Sequence, residues 1–224
     1  MKKRLLCCLG IATMLALGLC PTLAGETHRA IVPGTVNAAG TNYQGEKGVI
    51  TVGQFSNRST YMRGVFSDAT DRLGDQAKGI LVTHLQQTGR FRVLDRANMA
   101  EMANEAALLG QQVKLKGARY IITGEVAEFG RKETGDTQMF GILGHGKKQT
   151  AYSVVDLKVV DVTTSEVVFS TRGAGEYVLG EREVLGFGST MGYDSTLNGK
   201  VLDLAIREAV NRLVEGVDQG RWQP

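Results

Sequence analysis

The stretch AYSVVDLKVVDV, residues 151–162, puts Ser153, Val155, Leu157 and Val159 on one side of an extended chain, with Asp156 and Lys158 on the other. Successive side chains of a strand point to opposite faces, so a sustained period of two predicts a long, half-buried β-strand. Thr163, Thr164 and Ser165 make a turn after it, and EVVFSTRGAGEYV, 166–178, runs back. Before it, RYIITGEVAEF, 119–129, reads as another strand.

Further upstream the period switches. GVITVGQF, 48–55, is a strand rich in β-branched residues. Leu73, Ala77, Ile80, Leu81 and Leu85 then recur at helical spacing, in a helix expected to start near Ser67 or Asp68 and to stop at Gly89. RFRVLD, 90–95, alternates as a short strand, and a second helix is expected from Arg96 to Leu109, ended by Gly110. A last helix, 198–217, turns Leu202, Ala205, Ile206, Ala209, Val210, Leu213 and Val217 toward the core. The order β-α-β-α, then strands, then a helix, defines an α+β layered domain over 48–224.

The first residues have another task. Lys2, Lys3 and Arg4 precede an apolar run from Leu5 to Leu19, and Thr22-Leu23-Ala24 supplies the small residues of a cleavage site. Residues 1–24 are read as a signal peptide cut after Ala24, leaving 25–47 as an extended lead-in. Cys20 offers a competing lipidation site, which Leu19 fits poorly because that processing wants a small residue before the cysteine. Cys7, Cys8 and Cys20 all precede residue 25, so a chain starting at Gly25 has neither disulfides nor thiol chemistry. Without Lys2, Lys3 and Arg4, the 26 basic residues fall into balance with the 23 acidic ones. A chain of zero net charge carries no electrostatic footprint for nucleic acid.

No catalytic constellation emerges. None of His28, His84 and His145 sits in a spacing that would pair metal ligands, and no serine sits in a nucleophile elbow. His84 is expected partly buried, His145 solvated in a Gly-His-Gly turn, and Glu181 and Glu183 to be a charged loop tip. The stretch VLGFGSTMGYD, 184–194, has closely spaced glycines but misses the dinucleotide pattern by one residue and is not followed by Gly-Lys-Ser/Thr. The expectation is a protein that is not an enzyme, with no cofactor and no metal.

Two segments, 126–152 and 169–192, exceed ordinary strand length and are glycine-rich, without a wide hydrophobic face. The order GVITVGQF, LVTHLQQTGRFRVLDRANMAEMANE, ARYIITGEVAEFG, VDLKVVDVTTSEVV and GKVLDLAIREAVNRLVEGVDQGRW resembles that of the curli-secretion channel family. The resemblance covers nearly all of the chain after the leader. It implies a periplasmic domain of mixed sheet and flanking helices, assembled as a homo-oligomeric ring. In that family each subunit lends two β-hairpins to a shared outer-membrane barrel that passes unfolded amyloid-type subunits outward, with periplasmic accessory proteins as further partners. Segments 126–152 and 169–192 would be those hairpins, the second turning at Leu179–Arg182 and placing Tyr177 at the membrane interface.

The same resemblance puts Phe66, Thr70 and Asp71 at the pore constriction. Counted ungapped from Leu81-Val82-Thr83, Phe66 stands for the family's tyrosine, Thr70 for its asparagine and Asp71 for its phenylalanine. Phe66 would equally serve as an apolar staple beside a Ser67 cap. Ser165 stands where the family's turn has glycine, and the second hairpin is short. A soluble periplasmic binding module built on the same domain, such as those regulating cell-wall synthases, is the alternative reading.

Overall fold

The computed structural model describes residues 34–61, 71–137, 145–182 and 196–224. In chain order its elements are β1 (Gly48–Asn57), α1 (Arg72–Gln87), β2 (Phe91–Leu94), α2 (Met99–Leu108), β3 (Tyr120–Thr137), β4 (His145–Asp161), β5 (Val167–Arg182) and α3 (Thr196–Asp218). The strands form one mixed sheet in the order β2-β1-β3-β4-β5. β1 is parallel to both β2 and β3, and β3, β4 and β5 are successively antiparallel. The α+β class and the order of elements are as the sequence implied.

Helix α1 lies over β1 and β2, and α3 over β4 and β5, with the two helices touching each other between. The alternation in β4 is the centre of this packing. Ala151, Ser153, Val155, Leu157 and Val159 are all buried, while Tyr152 and Lys158 face outward. From α3, Val201, Leu202, Ala205, Ile206, Ala209, Val210 and Leu213 lie fully buried against them. Two irregularities re-aim side chains that a period of two would turn away. Register shifts between Val52 and Phe55 and between Val126 and Glu128 allow Val52, Phe55, Val126 and Phe129 all to reach the core. His84 is 2% exposed, and its Nε2 stands 2.8 Å from Asp203 Oδ1, tying α1 to α3.

The glycines of β5 explain how closely α3 seats. A Cβ on Gly175 would stand 2.7 Å from Leu204 Cβ and 2.8 Å from Ala205 N. One on Gly173 would stand 2.9 Å from Ala209 Cα and closer still to the carbonyl of Ala205. Hydrogen on these two residues lets helix backbone rest on strand backbone.

Of the expected second hairpin, 169–192, only the outgoing strand up to Arg182 is among the described residues. The side of β5 bearing Phe169, Gly173, Gly175 and Tyr177 is the floor under α3. Tyr177 is partly buried, with Lys200 Nζ 5.2 Å from its ring centre. Nor is there a turn at Leu179–Arg182, because the ladder to β4 continues through Gly146↔Arg182. The return segment 183–192, including the glycines of 184–194, lies outside the described residues. Within the first expected hairpin, β3 and β4 pair antiparallel out to Thr137↔His145, so His145 opens a strand instead of sitting in a turn.

The helix boundaries shift as well. α1 starts at Arg72 rather than near Ser67 or Asp68, because Asp71 takes the cap position. α2 starts at Met99 rather than Arg96, because Asp95 Oδ1 accepts from the N–H groups of Ala97 and Asn98 and holds them in a turn. Those bonds, led by the Asn98 side chain, keep the Asp95 carboxyl below its usual range. Gly89 and Gly110 have φ of 68° and 66°, the left-handed helix stops expected of them. The lead-in is not idle, since Val36 and Ala38 are buried and Asn37 N donates to Asn211 Oδ1 at 2.9 Å.

The tail closes the far end. Trp222 is 5% exposed, with ring centres of Phe91, Tyr120 and Phe169 within 5.7–6.0 Å. Its Nε1 donates to Leu213 O at 3.3 Å, and Tyr120 Oη donates to Gln223 O at 2.9 Å.

Candidate functional site

Of the three residues expected at a constriction, Phe66 and Thr70 lie outside the described residues. Asp71 is described, and both its carboxylate oxygens accept backbone hydrogen bonds. Its Oδ1 accepts from Gly74 N at 2.8 Å, which caps α1. Its Oδ2 accepts from Asn57 N at 2.6 Å, the last residue of β1. One carboxylate therefore pins together the two ends of the connection that carries Phe66.

The N-terminal side of that connection is braced further. Ser59 Oγ donates to Asn57 Oδ1 at 2.6 Å, Asn57 Nδ2 donates to Tyr61 O at 3.0 Å, and the N–H groups of Arg58 and Ser59 both reach Val126 O. The Tyr61 ring packs on Phe129 at 4.6 Å between centres. Its Oη accepts from Asn198 Nδ2 at 3.1 Å, and Asn198 Oδ1 accepts from Arg131 Nε at 2.8 Å. The network thus joins β1, β3 and α3 where β3 leaves the cover of the helices. Sequence reading missed Asn57, Tyr61, Arg131 and Asn198. Polar residues at element ends were the available signal, but nothing in sequence pairs residue 61 with 198.

From this root the sheet continues as a three-stranded arm, with β3 running to Thr137, β4 beginning at His145 and β5 ending at Arg182. The sheet face away from the helices carries charged side chains beside the exposed Tyr152 and Val178. Arg172 and Asp156 form a two-pronged ion pair there, with Nη2 to Oδ2 at 2.7 Å, and Arg58 lies 3.9 Å from Glu125. The hydrogen bond to Asp156, then its charge, raises the Arg172 pKa. Among the described residues, no three His, Cys, Asp or Glu side chains converge as a metal site. No described helix is long and apolar enough to cross a membrane, which says nothing about strands. The Asn57–Tyr61 contacts thus sit at the root of an arm whose open sheet face carries paired charges.

The family described as "Curli production assembly/transport component CsgG" matches residues 35–224, and the chain belongs to it. Over 201 residues, 90% of each chain, it is 57% identical to a protein of Neisseria meningitidis serogroup B that carries the name "putative lipoprotein". Among solved structures it is similar to a PelC dodecamer from Paraburkholderia phytofirmans, at 15% identity over 83% of this chain and 97% of that one, with a TM-score of 0.34. Lipoprotein GNA1162 from Neisseria meningitidis aligns at 12% identity over 77% and 99% of the two chains, with a TM-score of 0.35. Likenesses this distant carry no argument about assembly or partners.

Proposed function

We propose that this chain is a homo-oligomeric accessory module of the Gram-negative cell envelope, serving the periplasmic side of an export or envelope-building system. The reading rests on α3 covering β5 through Tyr177. A barrel strand must give one face to lipid, and the face from Phe169 to Tyr177 is occupied by a helix. The name of the neisserial relative favours an anchored form in which Cys20 is lipidated, against the cut after Ala24. Fractionation tests this directly. The parent chain should sediment with membranes, a Cys20→Ser variant should be released into the soluble periplasm, and neither should conduct in planar bilayers. A chain that stays in the outer membrane after Cys20→Ser and forms pores would overturn the proposal.

The channel reading has one observation in its favour. The β3–β4–β5 ladder continues past the helices, and the braced loop sits at its root. On that reading the arms complete a shared barrel for amyloid-type subunits, and Phe66 rings from several copies set the narrowest diameter. Asp71 then anchors the loop through both carboxylate oxygens, besides bringing charge near the axis. Phe66→Ala should raise single-channel conductance if channels form, whereas an unchanged conductance with lower stability makes Phe66 a staple.

A further inference from the structure

Helix α2 has no buried residue, and the chain from Ala97 to Gly117 is exposed apart from Ala106. This is unusual for its composition. Met99 and Met102 are 37% exposed, Leu109 72%. Met99, Met102, Ala106 and Leu109 repeat at spacings of three, four and three, the seam of a helix that packs along another helix. Isolated helices this short are marginal in water, so α2 needs a partner that the described residues of its own subunit do not supply. Its only charged residues, Glu101 and Glu105, are acidic, which disfavours an anionic membrane surface.

A matching surface lies on the flank of α1. A cavity of about 710 Å³ opens between α1 and β2, walled by Val52, Val93 and Leu94. On its helical side, Gly79, Val82 and Gln86 follow the complementary spacing of three and four. A Cβ on Gly79 would meet nothing within 4 Å, and Val82 is 36% exposed, so a second helix can approach here. The charged lining of this cavity is balanced, with Lys78 and Arg96 beside Asp75 and Asp95, so a helix bearing only Glu101 and Glu105 meets no net repulsion there.

We infer that α2 of one copy packs into the α1–β2 groove of another copy, with Met102 over Gly79 and Val82. The inference rests on the homo-oligomer in the proposal above and names its contact. Groove and helix are unlike surfaces, so the contact passes from copy to copy unless a two-fold axis makes it reciprocal.

Single cysteines test it in the full chain. Gly79→Cys and Met102→Cys are placed in differently tagged copies, co-expressed and oxidised, with the parent chain controlling for Cys20. A disulfide-linked species carrying both tags is expected from that pair, and not from Met102→Cys with Lys158→Cys on the open sheet face. A sample of oligomeric native mass that gives no such species, or links Met102→Cys only to itself or to another polypeptide, overturns the inference and leaves the oligomer standing. A sample monomeric at every concentration overturns both. As a second measurement, Met102→Glu combined with Leu109→Glu should weaken self-association at least tenfold while the subunit's melting temperature stays unchanged. Unchanged association would overturn the inference as well.

Discussion

Helix α2 is richer in apolar residues for its length than α3, yet α3 buries an entire stripe and α2 buries nothing. The difference lies in what each meets. α3 faces a strand whose glycines let the backbones touch, so its alanines and leucines close on β4 and β5 without gaps. α2 follows a four-residue edge strand and projects beyond it. An apolar stripe therefore says that a helix will be covered, not which chain covers it.

The largest test of that contrast is paired truncation. Leu213→Ala, at a fully buried site, should cost about 3–4 kcal/mol in denaturant unfolding. Met102→Ala should stay within about 0.5 kcal/mol in the isolated subunit. Equal losses would mean that α2 is packed within its own chain. Next comes Gly173→Ala, where a methyl is forced against the backbone of α3, and a loss of about 2 kcal/mol is expected. A neutral outcome would show that α3 can lift from the sheet.

Smaller effects fall on the loop anchors. Asp71→Ala removes the cap and leaves Asn57 N–H unpaired, so about 1–2 kcal/mol should be lost, with Asp71→Asn recovering part of it. Ser165 is the sole non-glycine residue at positive φ among the described ones, at 60°. Ser165→Gly should raise stability by up to about 1 kcal/mol, readable as a small rise in melting temperature. The smallest effect is a pH dependence in the same turn. Asp161 is held below its usual pKa by the N–H of Thr163, then that of Thr164. Its contribution is present above the ordinary carboxylate pKa and fades as pH falls through the lowered one. Asp161→Asn should flatten that acid limb of the stability profile.

Much of the fold was legible because its periods are long. The alternation of 151–162 and the stripe of 198–217 each place one face without help from the rest of the chain. The glycines of 173–175 were misleading, because a strand that accepts a helix at backbone distance looks, in sequence, like a strand with no hydrophobic face. The start of α1 was ambiguous because Ser67, Asp68 and Asp71 are all competent caps. The choice is fixed by Asn57, at the end of a strand that the loop returns to. Of the candidate site, Asp71 was visible as a position but not as a clasp, and the Tyr61–Asn198–Arg131 network depends on contacts between residues far apart in sequence.

The position of Trp222 has a consequence in time. Its ring rests on residues from β2, β3 and β5, all made earlier than itself. A chain threaded from its N-terminus through a translocation pore delivers those strands first and the sealing side chain almost last. Until then the end of the sheet stays open, and premature locking in the compartment of synthesis is disfavoured. A chain stopped at Asp218 should remain protease-sensitive although α3 is complete, and adding the last residues should end that sensitivity.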